Sequence, residues 1–187
     1  MNILMLGHDK SGKTSLVIRL IANLFLEDYD SAVEESYKKK IRLNDEQSCF
    51  LHILDTPGAE EFSTMHKQWV FSSDCVIIAY DASGPYPPEQ AIQPYLSIIR
   101  RTNDNVTTIV AGTKTDLRHN FSKYKHNLDV VVDFCKRNCL CYIETSAKDN
   151  INIQFLFQFV FKCYLWHYLL TFYQIIIFFF LGVILLT

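Results

Sequence analysis

The chain has 187 residues, a formal net charge of −2 and 49 % hydrophobic residues, which fits one ordinary α/β domain with some apolar surplus. The near-neutral balance, with no basic stripe, argues against nucleic acid as the main partner. Six cysteines (Cys49, Cys75, Cys135, Cys139, Cys141 and Cys163) sit mostly inside apolar runs without the paired spacing of a zinc site, and read as reduced core residues of a cytosolic domain.

Ile3-Leu4-Met5-Leu6 is an apolar run short enough for a buried strand. It leads into Gly7-His8-Asp9-Lys10-Ser11-Gly12-Lys13-Thr14, which fits the phosphate-binding pattern Gly-x4-Gly-Lys-[Ser/Thr]. Ser15-Leu16-Val17-Ile18-Arg19-Leu20-Ile21 then has the apolar spacing of a helix packed on a sheet, predicted to run to about Phe25. A strand, a glycine-bracketed loop and a helix start leave backbone N–H groups without partners, and with the helix dipole they suit a polyphosphate. Lys13 would reach the β- and γ-phosphates and the Thr14 hydroxyl would bind Mg²⁺. Glycine is expected at Gly7 and Gly12 because a Cβ there would block close approach of phosphate to backbone. The loop begins too soon to leave room for a secretory signal.

Residues Glu27 to Glu35 read as an acidic loop. Tyr37 to Leu43 and Cys49 to Leu54 are two strands joined across Asn44-Asp45. The second delivers Asp55-Thr56-Pro57-Gly58, where a carboxylate at a strand's end beside a phosphate loop suits a Mg²⁺ ligand acting through water. Gly58 can bring its N–H close to a terminal phosphate. A helix from about Phe62 to Phe71 precedes a buried strand, Cys75 to Tyr80. Gly84-Pro85-Tyr86-Pro87-Pro88 is a rigid loop, and Pro88 suits the first turn of a helix running to Arg101. Thr107 to Ala111 is a strand that ends on Gly112-Thr113-Lys114-Thr115-Asp116. A helix from about Asn127 to Arg137 and a strand Cys141-Tyr142-Ile143 follow, the latter ending on Glu144-Thr145-Ser146-Ala147-Lys148. Strands alternating with helices predict a doubly wound, mostly parallel α/β sheet of six strands, with ligand loops at the strands' carboxyl ends.

The last two loops point to the base. The Asp116 carboxylate can accept from guanine N1–H and its 2-amino group, a pairing adenine does not offer, so an unpaired carboxylate would reject adenine. The stems of Lys114 and Lys148 can sandwich the base, and the Ala147 N–H can donate to O6. Thr113-Lys114-Thr115-Asp116 resembles the Asn/Thr-Lys-x-Asp element of small GTPases, and Ser146-Ala147-Lys148 their second guanine loop. With Phe25 placed to stack on the base, the chain from Met1 to about Tyr164 resembles a Ras-family small GTPase. The resemblance implies a P-loop G domain over residues 1–164 that binds GTP or GDP with Mg²⁺ and hydrolyses GTP. The nucleotide-binding set it implies is Gly7, Asp9, Lys10, Ser11, Gly12, Lys13, Thr14, Ser15, Phe25, Gly58, Thr113, Lys114, Asp116, Ser146, Ala147 and Lys148. The metal falls to Thr14 and Asp55, and hydrolysis to Lys13, Gly58 and position 59.

Four residues depart from that family. Asp9 and Lys10 stand where small residues, mostly glycine, usually face the γ-phosphate, and a carboxylate there crowds the attacking water. Ala32 falls at the switch threonine that closes on Mg²⁺, and Ala59 where a glutamine would orient the water. The expectation is a GTPase with impaired hydrolysis; the alternative is a constitutively GTP-bound, non-hydrolysing membrane scaffold. Tyr29, Asp30, Ser31, Ala32, Val33, Glu34, Glu35, Ser36 and Tyr37 resemble the effector region, which with the adjacent edge strand would dock an effector protein. An exchange factor is implied as well, and an activating protein is left open.

After Lys162 there is no formally charged residue, and the chain ends Ile184-Leu185-Leu186-Thr187 without a prenylation box. From His167 on, the segment makes about 30 Å of helix, the depth of a bilayer core, and its apolar residues contribute about −5 to −9 kcal/mol on the insertion scale. Residues 165–187 are therefore expected to anchor the domain to the cytosolic face of a membrane. The alternative is a soluble cytoplasmic protein with a mis-assigned end.

Overall fold

The computed structural model describes residues 1–27, 34–42, 48–58, 63–117 and 128–184, without the side chains of 63, 64, 168 and 170–184. In chain order the elements are β1 (Asn2–Leu6), α1 (Lys13–Ala22), β2 (Glu35–Arg42), β3 (Ser48–Asp55), α2 (Ser63–Phe71), β4 (Cys75–Asp81), α3 (Pro88–Ala91), α4 (Gln93–Thr102), β5 (Thr107–Thr113), α5 (Leu128–Arg137), β6 (Cys141–Glu144) and α6 (Ile153–Ile184). The six strands form one sheet in the order β2-β3-β1-β4-β5-β6, and only the β2–β3 pair is antiparallel. The expected mostly parallel, doubly wound α/β sheet is what the chain builds.

Alternation along β1 splits the core into two layers. Ile3 and Met5 face the layer shared by α1 and α6, with Leu16, Val17, Leu156, Phe157 and Val160. Leu4 and Leu6 face the other layer, with Trp69, Ile92, Tyr95 and Phe134. β4 lies in the middle, buried on both faces from Cys75 to Tyr80, as a continuous apolar run in a parallel sheet should be. Leu156, Phe157 and Val160 are fully buried, and at ~1.5–3 kcal/mol each this burial docks the start of α6 firmly on the sheet.

Two expected helices come out differently. The first stops at Ala22 rather than near Phe25, because Asn23 turns left-handed (φ 57°) and gives its N–H to the Arg19 carbonyl. The helix expected from Pro88 to Arg101 is two helices, α3 and α4, with the break at Ile92 (φ −109°). The cause is Pro94, which has no N–H to give the Gln90 carbonyl one turn back. The ring Nε2 of His8, in the phosphate-binding loop, lies 3.4 Å from that freed carbonyl.

The backbone of α6 runs unbroken past Tyr164 to Ile184, so no hinge separates the two expected segments. Among the described residues, no helix is long and apolar enough to cross a membrane. Most side chains of the expected anchor lie outside them. So do Tyr29, Asp30, Ser31, Ala32, Val33 and Ala59, the turn at Asn44-Asp45, and Phe62 and Asn127 at the expected helix starts.

Candidate nucleotide site

β1, buried on both faces, stops at Leu6 and hands the chain to Gly7. The loop then closes on its own lysine. The Lys13 ammonium donates to the carbonyls of Gly7 (3.0 Å) and His8 (2.8 Å), while the Ser11 N–H donates to the His8 carbonyl (3.2 Å). α1 starts from Gly12, whose φ of 91° favours glycine. A Cβ on Gly7 would collide with the Ala79 carbonyl of β4, so the neighbouring strand adds its own requirement for glycine there. At Gly12 the Thr113 side chain stands at ordinary contact distance, and the left-handed φ is what favours glycine.

Asp55, the last residue of β3, sits beside this loop because β3 pairs with β1 in register Met5 to Asp55. It is 3 % exposed, its Oδ1 lacks a hydrogen-bond partner, and the Thr14 side chain bonds the carboxyl. Burial pushes its pKa up to about 6, against the pull of Thr14 and Lys13, with Glu35 adding to the rise. Burial also pushes Lys13 down to about 8, although Asp55 and Asp9 pull it up. A buried ammonium next to a buried carboxylate with an unsatisfied oxygen suits an anion on the first and a hard cation on the second. The donor set of the Thr14 hydroxyl and Asp55 is what Mg²⁺ takes, with water completing its shell. When bound, Mg²⁺ would supply charge neutralisation for phosphate oxygens.

Two contacts tighten the loop around Asp9. Gly58 packs on the loop so closely that a Cβ would collide with the backbone of Asp9 and His8. The Asp9 carboxylate folds back and accepts the Lys10 N–H at 2.9 Å. Lys10 has φ 57°, a strained conformation for a residue with a Cβ.

A single cleft of about 690 Å³ runs from Lys13 and Thr14 to Phe25, Lys114, Asp116 and Lys148. Lys10, Gly12, Ser15, Thr113 and Ala147 also line it, so most of the expected set converges on one space. Gly7, Gly58 and Ser146 shape the site without lining that cleft. Asp9 and Ser11 instead line a separate cavity of about 190 Å³ with Tyr86 and Asp81. The Ser11 side chain is buried and its hydroxyl lacks a hydrogen-bond partner.

The two base loops are tied together. Thr145 gives its N–H and hydroxyl to the Gly112 carbonyl at 2.6 and 2.9 Å, and Thr115 gives its hydroxyl to the Thr145 carbonyl at 3.0 Å. The Ser146 hydroxyl donates to Asp116 Oδ1 at 2.6 Å and accepts the Asp149 N–H at 3.0 Å, which fixes the orientation of the carboxylate.

Two residues in the supporting shell carried no sequence motif. Arg19 on α1 donates to the carbonyls of Ala147 (2.6 Å), Lys148 (3.0 Å) and Asn23 (2.8 Å), clamping the second base loop to α1. Asp81, the last residue of β4, holds the Lys114 ammonium at 2.7 Å and accepts from Ser83. An acidic residue at a strand's carboxyl end was the one available signal for Asp81. Arg19 looked like any basic residue in a last helical turn.

The family model described as the Ras family matches residues 2–165, most of the chain and all of the site just described.

Proposed function

This chain belongs to the Ras family, and we propose that it is a guanine-nucleotide switch whose GTP state is long-lived because hydrolysis is slow. Small GTPases of this family generally bind GTP and GDP with Mg²⁺ and hydrolyse GTP. The observation that carries the guanine reading is the single cleft joining Lys13 and Thr14 to an Asp116 carboxylate held by Ser146. Protein precipitated with acid should release GDP or GTP, and unlabelled GDP should displace a labelled guanine nucleotide where ATP does not. Equal displacement by both would refute the reading.

Slow hydrolysis is supported by the Asp9 carboxylate on the Lys10 N–H and by alanine at positions 32 and 59. The second reading, a scaffold that stays loaded with GTP and never turns over, draws on the same contact. Glu34 and the first residues of the edge strand β2, Glu35, Ser36 and Tyr37, support an effector docking there in the GTP state, with an exchange factor needed to reload the switch.

Asp55 and Lys13 together set a pH signature. With its folded pKa near 6 against 3.8, Asp55 contributes stability at acid pH that is lost as pH rises through 6. With its folded pKa near 8 against 10.5, Lys13 opposes folding below 8, and that cost fades as pH rises further. Between pH 6 and 8 both groups are charged and buried, so the nucleotide-free protein should gain most in melting temperature from GDP and Mg²⁺ in that window. Below pH 6, protonation of Asp55 should weaken Mg²⁺ affinity by about tenfold per unit. Melting curves and Mg²⁺ titrations across pH 5 to 8 check this; a flat profile would show that Asp55 does not take part.

The charge-free segment 165–187 supports residence on the cytosolic face of a membrane, with the G domain facing cytosolic GTP. Full-length protein should stay in the pellet through alkaline carbonate, and truncation after Lys162 should release it. Full-length protein in the supernatant would instead support a soluble cytoplasmic protein.

A further inference from the structure

Arg19 lies half-buried in the last turn of α1, and all three of its side-chain nitrogens donate to backbone carbonyls. Nε reaches the Ala147 carbonyl at 2.6 Å, Nη2 that of Lys148 at 3.0 Å and Nη1 that of Asn23 at 2.8 Å. Two of these carbonyls belong to the second base loop, and the third to the residue that ends α1. A guanidinium presents its N–H groups in one plane at fixed angles, so three bonds together fix where the loop sits on α1. A lysine ammonium would keep the charge and lose that fork.

Within the loop, the peptide between Ser146 and Ala147 is aimed by other contacts. Its carbonyl accepts the Ile151 N–H at 2.9 Å, and the Ser146 N–H donates to the Ile151 carbonyl at 3.2 Å. That peptide is trans, so the Ala147 N–H points away from the carbonyl that Ile151 holds. Direction is therefore set inside the loop, and position is set by Arg19. Ala147 and Lys148 line the cleft at one end, and Lys13 and Thr14, the first residues of α1, line it at the other. From Lys13 to Arg19 is about 9 Å of helix. One short rigid piece thus joins the phosphate end of the cleft to the base end.

Resting on the guanine reading above, we propose that Arg19 is a positioning residue that sets how long the nucleotide stays bound. It holds the Ala147 N–H within hydrogen-bond distance of guanine O6 while the phosphates sit on Lys13 and Thr14. Hydrogen bonds weaken steeply with misalignment, so a base loop free to drift on α1 loses the O6 contact first. Release then speeds up, while encounter, which needs only an open cleft, keeps its rate. Arg19 keeps spontaneous exchange slow and leaves reloading to an exchange factor.

The test times release of GDP, radiolabelled on the β-phosphate, from full-length protein into excess unlabelled GDP. Wild type, Arg19→Lys and Arg19→Gln are compared, each also loaded with 6-thioguanosine diphosphate labelled in the same way. That nucleotide keeps the N1–H and 2-amino group for Asp116 and puts sulfur, a weak acceptor, in place of O6. Both variants should release GDP about 10- to 100-fold faster than wild type, with association within about twofold. With the thio nucleotide the same substitutions should cost less than about threefold, because the contact that Arg19 positions is weakened there beforehand. Equal acceleration with both nucleotides would mean a loosened domain and would overturn the proposal, as would unchanged GDP release in both variants. Wild type alone should release the thio nucleotide faster than GDP, and equal rates would overturn the proposal without any variant. A wild type that holds no guanine nucleotide at all would overturn the guanine reading as well, and that result precedes every comparison with Arg19 variants.

Discussion

Replacing Asp116 with asparagine should lower affinity for GDP and GTP by about 10²–10⁴-fold and create affinity for xanthine nucleotides. The carboxylate is acceptor-only, and guanine presents two donors, N1–H and the 2-amino group. Each charge-assisted bond contributes ~1.5–3 kcal/mol, and an asparagine NH₂ set against those donors loses both. Xanthine carries an oxygen at position 2 and accepts from the same NH₂, so specificity should change sides rather than merely weaken. The orientation depends on Ser146, whose hydroxyl holds Asp116 Oδ1 at 2.6 Å. Ser146→Ala should therefore weaken guanine binding by a smaller factor, about fivefold for one hydrogen bond. Equilibrium titration with labelled GDP and xanthosine diphosphate reads both variants. Retention of wild-type GDP affinity by Asp116→Asn would mean that the base lies elsewhere.

The residues legible in the sequence were those whose role depends on local spacing. Gly7 through Thr14 form one loop between one strand and one helix, so eight consecutive residues specify both motif and geometry. Asp55, Asp116 and Ser146 each follow a recognisable strand, and a parallel sheet gathers strand ends on one edge whatever the chain between them does. What escaped was long-range. Arg19 meets Ala147 and Lys148 from across the domain, and nothing near it in sequence records that contact. The need for Gly7 came from Ala79 on β4, again a partner far away in the chain. Ser11 sat inside the motif, yet it lines the smaller cavity rather than the cleft, because the motif describes backbone amides and leaves side-chain direction open. The split of α3 from α4 was legible in principle, since Pro94 follows the apolar helix pattern by position and breaks it by chemistry.

Hydrolysis should respond to repair in a definite order. Attack on the γ-phosphate needs a water oriented towards phosphorus, room for it in line, and charge stabilisation as the bond breaks. Lys13 preserves part of the third requirement. On the reading proposed above, Ala59 lacks the side chain that would meet the first, and the Asp9 carboxylate, which accepts the Lys10 N–H at 2.9 Å, obstructs the second. Ala59→Gln alone should give a small gain, because a correctly placed amide has no uncrowded water to hold. Asp9→Gly alone should free the Lys10 amide and the in-line space, yet leave the water unoriented. The double variant should exceed the product of the two single gains, reaching on the order of 10²-fold over wild type, since both residues act on one water and misplacement by about 1 Å costs that much. An arginine supplied by an activating protein should help wild type little, because Asp9 obstructs its approach, and should help the double variant more. Single-turnover release of phosphate from preloaded GTP, measured for wild type, both singles and the double, gives the whole cycle. If wild type already releases phosphate as fast as the double variant, neither Asp9 nor Ala59 limits hydrolysis, and the long-lived GTP state is wrong. If the two single gains simply multiply, the residues act on separate steps, and crowding by Asp9 falls on nucleotide binding rather than on the attacking water.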